Sequence, residues 1–598
     1  MSAQVEGKKY DIIFAGGGTA ACVAAGRLAK NNPDLSILLV EGGRNNKDDP
    51  LVTNPAIYLA HLAPDSQTAL FYKANAEEQL NGRESIVPCG GLLGGGSSIN
   101  FLMYTRAQSI DFDSWQTEGW DYKSLLPLLK RASLENFHPK DEGINQDLHG
   151  HDGPINVSYG THFQEDAAAD FVAGAVATGE KEFVDMQDFE SAGGFARWAK
   201  YISPDGKRQD AAHCYIHPLM DAGKHPNLHL LLENRVSRVL FDDSKRAIGV
   251  EYEPSKSHQP SISLSKTPIY QVYANKLVVV SAGALGTPSI LERSGVGDAK
   301  VLNKLGIDVK SDLPDVGEHY QDHHLLLYPY KTTLQPEQTN DALLSGRIDF
   351  AKAAASNDKR LGWNAIDVCS KMRPSEAEVA TLGPAFQKAW EADFKNSPTK
   401  PIMLCGVVNS FLGDHKILNE AADGVSQYAS VGTYTAYPYS RGNIHITSTD
   451  ATTPASFNTG FLNHPADLPK QVWAYKKSRE IFRRTKAYAG ELALGHPKFP
   501  SDSKAALHDG PATTNGFHDD AASRKTVKNI EYSAEDDKAI EEHIRNNVNT
   551  TWHSCGTCRM APKEKGGVVD AELNVYGVTG LKCVGKLFAP LPFLSPLA

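Results

Sequence analysis

The sequence predicts an α/β fold with a Rossmann-like sheet and at least one further domain. The chain has 598 residues, more than a single hydrophobic core accommodates. Residues 10–41 contain a strand, a glycine turn, a helix and a second strand in succession. A second glycine cluster lies at residues 90–106 among apolar side chains. These three observations indicate an α/β nucleotide-binding domain that accounts for only part of the chain.

The first unit begins with residues 10–15, a short apolar segment that is typical of a buried strand. Three glycines at 16–18 follow, and the small residues at 22–29 are helical in character. Residues 35–40 form the second predicted strand, which ends at Glu41. This order of elements is the dinucleotide-binding fingerprint.

Each part of this unit has a physical task. Gly16 makes the tight turn, and Gly18 lets the backbone approach a pyrophosphate at the start of the helix. Glu41 is placed to accept a hydrogen bond from a ribose hydroxyl, and its charge disfavours the 2′-phosphate of NADP. The motif alone leaves FAD and NAD open.

Composition excludes several other classes of function. A net charge of −10 and a pI of about 6.1 argue against nucleic acid or an anionic membrane as a partner. No apolar run is long enough to span a bilayer, and the first residues lack a secretory signal. The eight scattered cysteines favour reduced thiols inside the cell. Cys555 and Cys558 have no second cysteine pair, so we expect no metal site there.

Several motifs further along the chain are more specific. Residues 90–106 read GGLLGGGSSINFLMYTR, and residues 283–297 read GALGTPSILERSGVG. Residues 321–323 read QDH, and residues 552–557 read WHSCGT. With these motifs the chain resembles the glucose–methanol–choline (GMC) flavoprotein oxidoreductases from about residue 10 to residue 582. Within that family it is most similar to the alcohol (methanol) oxidases of fungi and yeasts.

The resemblance implies two discontinuous domains, so that the fold is α+β as a whole. Residues 1–155, 225–325 and 545–598 would form a Rossmann-like FAD-binding domain. Residues 156–224 and 326–544 would form a substrate-binding domain, an antiparallel sheet backed by helices.

The resemblance also implies FAD as the cofactor and names the residues around it. Some family members bind FAD covalently through a histidine, but Ile99 stands at that position here, so we expect non-covalent binding. The residues implied to contact FAD lie in the two glycine segments, at the end of the second strand and near residue 235: Gly16, Gly18, Thr19, Ala20 and Glu41 at the ADP half, Val236 against the adenine, and Ser98, Asn100 and Phe101 near the flavin ring.

The implied chemistry is oxidation of an alcohol. The hydroxyl proton must be removed and a hydride delivered to flavin N5, and a neutral histidine suits the first task. The resemblance places this base at His553, with Trp552 and Phe101 closing the pocket around a short primary alcohol. Aldehyde and hydrogen peroxide would be the products. The alternatives are that Trp552 only packs under the flavin domain, or that the enzyme is another GMC oxidoreductase acting on an aryl alcohol, a sugar or choline.

The C-terminal segment departs from the family. After Lys582 the family continues into a strand, a helix and a segment that supplies a second active-site His or Asn. Three prolines in the last nine residues of this chain forbid that helix. We therefore expect a truncated chain with lower FAD occupancy and a rate reduced about 10²–10⁴-fold by loss of one acid–base group. A catalytically impaired flavin-binding form is the third alternative.

The expected partners are a small alcohol and O2, without nucleic acid or membrane. A homo-oligomer is an open alternative, because the sequence around residues 501–530 is shorter than in the yeast enzymes that form large assemblies. The expected location is intracellular, in the cytoplasm or the peroxisome. The peroxisome enters by resemblance only, since Pro596, Leu597 and Ala598 do not form its C-terminal signal.

Overall fold

A computed structural model describes residues 5–130, 135–255, 268–419, 427–508, 510 and 521–585. The predicted features of residues 586–598 lie outside the described residues. Across the described ranges, no helix is both long and apolar enough to cross a membrane.

The strands follow one another along the whole described chain. In order they are β1 (Lys9–Ala15), β2 (Ile37–Val40), β3 (Ala69–Glu77), β4 (Arg83–Gly90), β5 (Glu135–Phe137), β6 (Ile155–Val157), β7 (Lys181–Phe183), β8 (Gly194–Arg197), β9 (Leu228–Leu231), β10 (Asn234–Phe241), β11 (Ala247–Pro254), β12 (Tyr270–Val280), β13 (Val296–Gly297), β14 (Ser311–Asp312), β15 (His324–Thr332), β16 (Ile366–Met372), β17 (Met403–Val408), β18 (Gln427–Thr435), β19 (Asn443–His445), β20 (Ser456–Asn458), β21 (Tyr488–Glu491), β22 (Asn549–Thr550) and β23 (Leu581–Cys583).

The α-helices are mostly short and lie between these strands. In order they are α1 (Thr19–Asn31), α2 (Pro50–Thr53), α3 (Ser109–Asp113), α4 (Tyr122–Leu129), α5 (Glu165–Ala177), α6 (Ala211–Tyr215), α7 (His217–Asp221), α8 (Gly283–Arg293), α9 (Ala299–Lys304), α10 (Asp341–Leu344), α11 (Phe350–Ala355), α12 (Glu376–Val379), α13 (Gly383–Ala389), α14 (His415–Asn419), α15 (Asp467–Phe482), α16 (Ala521–Thr526) and α17 (Ala534–Asn547). A 3-10 helix at Gly95–Ser98 lies in the second glycine cluster.

The first sheet has the strand order β10-β11-β12-β1-β2-β9, and β23 pairs with β12. The pairs β12·β1, β1·β2 and β2·β9 are parallel, and β23 joins β12 in the same direction. The predicted strand, helix and strand of residues 10–41 are confirmed as β1, α1 and β2. The parallel centre of this sheet is the Rossmann-like element that the sequence predicts.

Both faces of this sheet are covered, because successive side chains of β1 point to opposite sides. Ile13 and Ala15 pack in a cluster with residues of α8, such as Leu291. Ile12 and Phe14 pack in a second cluster with the small residues of α1. Burial on both faces explains why β1 and β2 consist of apolar residues without polar alternation.

The second sheet has the order β21-β15-β18-β17-β16-β8-β7, and β22 pairs with β15. Its pairs are antiparallel, apart from β7·β8. α5 and α15 pack against it, and the cluster between them contains Phe171, Phe195, Ala474 and Phe482. The predicted fold class, a Rossmann-like sheet with a second antiparallel sheet backed by helices, is confirmed. The residue boundaries of the two domains stay a prediction.

The two glycine segments are packed backbone against backbone. The Gly94 amide donates to the Gly17 carbonyl at 2.9 Å. A Cβ on Gly95 would lie 2.8 Å from Gly18 Cα, and a Cβ on Gly90 would lie 2.2 Å from the Gly95 carbonyl carbon. These separations are shorter than non-bonded carbon contacts allow, so only glycine fits at positions 90 and 95.

We expect Gly90→Ala to lower the thermal unfolding midpoint of the apoprotein by about 2–5 °C, because overpacking of this kind costs about 1–3 kcal/mol. Gly18→Ala is the matched control, since its added Cβ meets no described protein atom closer than 3.8 Å. Scanning calorimetry of both variants measures the effect. An equal midpoint for Gly90→Ala and the unsubstituted chain would contradict the steric account.

Candidate active site and cofactor cleft

Two adjoining cavities lie at the crossing of the glycine segments. The glycine-lined cavity has a volume of about 320 Å³ and lies at the carboxyl ends of β1 and β2. The apolar cavity has a volume of about 430 Å³ and extends to the second sheet. Cys89, Gly90, Gly96 and Trp552 line both. A ligand that occupies both cavities would therefore pass this shared wall.

Two helices begin at the glycine-lined cavity. Gly16, Gly18, Thr19 and Ala20 line it at the start of α1, whose N-cap, Gly18, makes no side-chain cap hydrogen bond. Gly283 lines it at the start of α8, and a Cβ there would meet nothing within 4 Å. Bare backbone at two helix N-termini favours an anionic group such as a pyrophosphate.

Glu41 lies at the end of β2 and lines the same cavity. Its carboxylate accepts hydrogen bonds from the Gly17 amide at 2.6 Å and the Gly43 amide at 2.7 Å. Burial raises the pKa of Glu41, and these amides partly offset that effect. A carboxylate has about four acceptor positions, so the two oxygens retain capacity for a ribose hydroxyl.

Val236 lines this cavity together with two arginines that sequence reasoning missed, Arg235 and Arg293. Arg235 donates to Glu253 at 2.9 Å. Among the described residues, the buried Nε of Arg293 has no hydrogen-bond partner. Burial lowers the pKa of Arg293 to about 10, with Arg235 adding repulsion. Nη1 of Arg293 donates to the Ser289 carbonyl at 3.3 Å, whereas Nε is left for an acceptor. The sequence feature that could have identified Arg293 is its position in the 283–297 motif.

Asn100 and Phe101 line the apolar cavity, whereas Ser98 lines neither cavity. The Ser98 hydroxyl donates to the Leu93 carbonyl at 3.0 Å and accepts from Asn46 at 2.9 Å. Ser98 therefore supports the glycine segment from behind the wall.

Arg208 is a buried residue that the sequence did not single out. Its guanidinium donates to the Asn100 carbonyl and to Asn100 Oδ1, both at 2.8 Å, and burial lowers its pKa to about 10. Asn100 Oδ1 also accepts from the Leu102 amide at 3.1 Å. Two donors on the oxygen fix the orientation of the Asn100 amide at the cavity wall.

Aromatic rings form one wall of the apolar cavity. The Trp552 and Phe101 ring centroids are 4.7 Å apart, and those of Phe101 and Tyr58 are 4.2 Å apart. Trp552 has a φ of +64°, which is rare for a residue with a large side chain. The bond network around residues 550–553 must therefore hold this backbone in place.

His553 also lines the apolar cavity. Its ring centroid lies 5.3 Å from that of His323 in an edge-to-face arrangement and 6.4 Å from that of Tyr434. His543, on α17, lines the same cavity, and burial lowers the pKa of His543 to about 4. The two histidines differ in position: His553 directly follows Trp552, which lines both cavities, whereas His543 lies on α17.

Asp322 is a further residue that the QDH motif contained without an assigned role. Its carboxylate accepts from the His553 amide at 3.1 Å and from the hydroxyls of Thr550 and Thr551 at 2.5 and 3.1 Å. Asp322 is 1% exposed. The loop that carries Trp552 and His553 therefore folds around a buried carboxylate.

Comparison with known proteins also indicates a flavoprotein oxidoreductase. Residues 10–325 match the N-terminal part of the GMC oxidoreductase family, and residues 438–591 match its C-terminal part. The chain is 39% identical to alcohol oxidase of Pichia angusta over 97% of this chain and 91% of that protein. It is 39% identical to alcohol oxidase of Candida boidinii over 98% and 91%.

Solved structures agree in fold. An FAD-dependent oxidoreductase from Chaetomium thermophilum superimposes with a TM-score of 0.76 at 26% identity, covering 98% of this chain and 96% of that one. A formate oxidase variant of Aspergillus oryzae gives a TM-score of 0.79 at 20% identity, covering 99% of this chain and 95% of that one. The helix N-termini, Glu41 and the unpartnered Arg293 nitrogen fit the FAD of these proteins. The chain therefore belongs to the GMC oxidoreductase family of FAD-dependent enzymes.

Proposed function

We propose that this chain is an FAD-dependent oxidase of short primary alcohols. A methanol- or ethanol-like substrate is oxidised to the aldehyde, and O2 is reduced to hydrogen peroxide. The observation that carries the proposal is that Trp552 lines both cavities and that the adjacent His553 lines the apolar cavity. Two yeast proteins named alcohol oxidase, each 39% identical to this chain, support the substrate class.

The cofactor residues divide between the two cavities. Gly16, Gly18, Thr19, Ala20, Glu41 and Val236 would hold the ADP half, and Asn100 and Phe101 would adjoin the flavin. Bound FAD supplies the acceptor for the hydride. Ile99 has no nucleophilic group, so we propose non-covalent binding.

The protein itself removes the hydroxyl proton. We assign His553 as the general base, because a neutral imidazole accepts a proton near neutral pH. Apolar side chains such as Leu325, Ile366 and Val408 line the same cavity and exclude water around the substrate. Exclusion of water strengthens the electrostatic interactions of the base with the alcohol.

An aryl-alcohol substrate is the second candidate, and the size of the apolar cavity favours it. A volume of about 430 Å³ is more than a one- or two-carbon alcohol requires, although the flavin ring also needs space here. The side chains to test are Trp552 and Phe101, because both line the apolar cavity and their rings lie 4.7 Å apart at a tilt of 45°.

We also propose that the FAD-binding domain comprises residues 1–155, 225–325 and 545–598. The described strands support this assignment, since β1, β2, β9–β12 and β23 belong to the first sheet. The substrate-binding domain would then comprise residues 156–224 and 326–544, which include most of the second sheet.

Gly18→Ala should raise the dissociation constant for FAD at least about tenfold, because the new methyl group occupies the space of the pyrophosphate. Titration of the apoprotein with FAD, followed by quenching of flavin fluorescence, measures the change. The thermal unfolding midpoint of the Gly18→Ala apoprotein is the internal control for folding. An unchanged dissociation constant would show that the pyrophosphate does not bind at the start of α1.

His553→Gln should slow flavin reduction by ethanol about 10²–10⁴-fold with FAD content retained, because the proton acceptor is lost. His543→Gln is the matched control, since His543 lines the same cavity from α17, and its rate should stay within about threefold. Anaerobic stopped-flow absorbance at the flavin band measures both. A slow His543→Gln variant beside a fast His553→Gln variant would reverse the assignment.

Trp552→Ala should lower kcat/KM for methanol and raise kcat/KM for benzyl alcohol about tenfold, because removal of the indole widens the cavity. Peroxide release in a coupled assay measures both substrates. Val176→Ala, a change at an exposed position on α5, is the control. Faster turnover of benzyl alcohol than of methanol or ethanol by the unsubstituted chain would favour the aryl-alcohol candidate.

A further inference from the structure

We propose that Asp322 is a positioning residue for the oxidation. Its buried carboxylate holds the loop of residues 550–555 so that Trp552 and His553 face the apolar cavity. This inference rests on the proposed function, in which His553 is the base.

Both carboxylate oxygens of Asp322 are saturated with donors. Oδ2 accepts from the Thr550 hydroxyl at 2.5 Å and the Tyr320 hydroxyl at 3.1 Å. Oδ1 accepts from the Thr551 hydroxyl and the His553 amide, both at 3.1 Å. All four donors are uncharged groups, and three of them belong to the loop. The carboxylate is thus the point around which residues 550–553 turn.

Backbone pairing anchors the two ends of this loop on either side of Asp322. Thr550 pairs with His324 at one end, and Cys555 pairs with Gln321 at the other. Residues 551–554 therefore form a short excursion between two fixed points. The Asp322 side chain, between Gln321 and His324 in the sequence, fills the inside of that excursion.

The left-handed backbone of Trp552 depends on the same network. The Trp552 amide donates to the Thr550 hydroxyl oxygen at 2.7 Å, and that hydroxyl donates to Asp322. A φ of +64° at a tryptophan persists only when its surroundings enforce it. Without the Asp322 carboxylate, the Thr550 hydroxyl and then the Trp552 amide would lose their fixed positions. The His553 side chain would then no longer be held in one direction.

The charge of Asp322 also bears on His553. Burial raises the pKa of Asp322, and the four donated hydrogen bonds partly offset this effect because they favour the ionised carboxylate. Cys89 and Tyr320 are the other titratable groups beside Asp322, and burial raises the pKa of both, so they remain neutral. His323 packs edge-to-face against His553. A carboxylate bonded to the His553 amide favours the imidazolium that forms when the base takes up the proton.

We expect Asp322→Asn to slow flavin reduction about 100-fold at unchanged FAD content. A displacement of the base by about 1 Å reduces the rate by this factor. The inflection in the pH dependence of this rate should move to lower pH by about half a unit or more, since a negative charge near the imidazole is removed. The experiment is anaerobic stopped-flow reduction of the FAD-loaded protein by ethanol across pH 5–9.

Asp341→Asn is the matched control. Asp341 is another buried carboxylate that accepts from a hydroxyl and two backbone amides, those of Ser410, Phe411 and Tyr428, but it lines neither cavity. We expect this variant to unfold at a lower temperature and to keep its rate and pH profile. If Asp322→Asn does not fold, Thr550→Val removes the link between Asp322 and Trp552 and should slow reduction at least about tenfold.

The outcomes separate this inference from the proposed function. A rate within threefold of the unsubstituted chain and an unchanged pH profile for Asp322→Asn, beside a slow His553→Gln, would overturn the positioning role alone. Rapid flavin reduction in the His553→Gln variant would contradict the assignment of His553 as the base, and this inference would fail with it. Equal effects of Asp322→Asn and Asp341→Asn would reduce Asp322 to a stabilising residue and also overturn the inference.

Discussion

Direct backbone contact between the residue 16–18 turn and the residue 90–96 segment is the constraint on which the site depends. The Gly94 amide bonds to the Gly17 carbonyl, and no side chain fits between Gly95 and Gly18. This contact brings the start of α1 to the wall that the two cavities share. A cofactor with a charged half and a flat ring half can therefore lie along one continuous path across the two sheets.

The two cavities are lined by different kinds of residue, and each lining suits one half of FAD. The glycine-lined cavity presents helix N-termini, Glu41 and the Arg293 guanidinium, which match phosphate and ribose groups. The apolar cavity presents aliphatic and aromatic side chains, with the His553 ring at its wall. The groups that suit the nucleotide therefore lie in one cavity, and most of the aliphatic and aromatic side chains lie in the other.

Hydrogen bonds around Asp322 complement the steric contact of the glycines. The glycine crossing places the floor of the site, whereas Asp322 holds the loop that faces it. Arg208 likewise holds the Asn100 side chain in place by donating to its Oδ1. Four donors satisfy the Asp322 carboxylate, and acceptors at Val52, Ser97 and Asn100 bind Nε and Nη1 of Arg208. These bonds fix one conformation of the wall.

The sequence by itself determined the local units: β1, α1, β2 and Glu41, the second glycine cluster, and the Trp552–His553 pair. These follow from residue type and short spacing, since a glycine turn between a strand and a helix is a local property. Only the tertiary structure decided that Ser98 lies behind the wall and that Arg293 and Asp322 belong to the site. Asp322 and His553 are 231 residues apart, and Arg208 and Asn100 are 108 apart. Such pairs leave no periodic pattern in the sequence, because the packing of distant segments creates them.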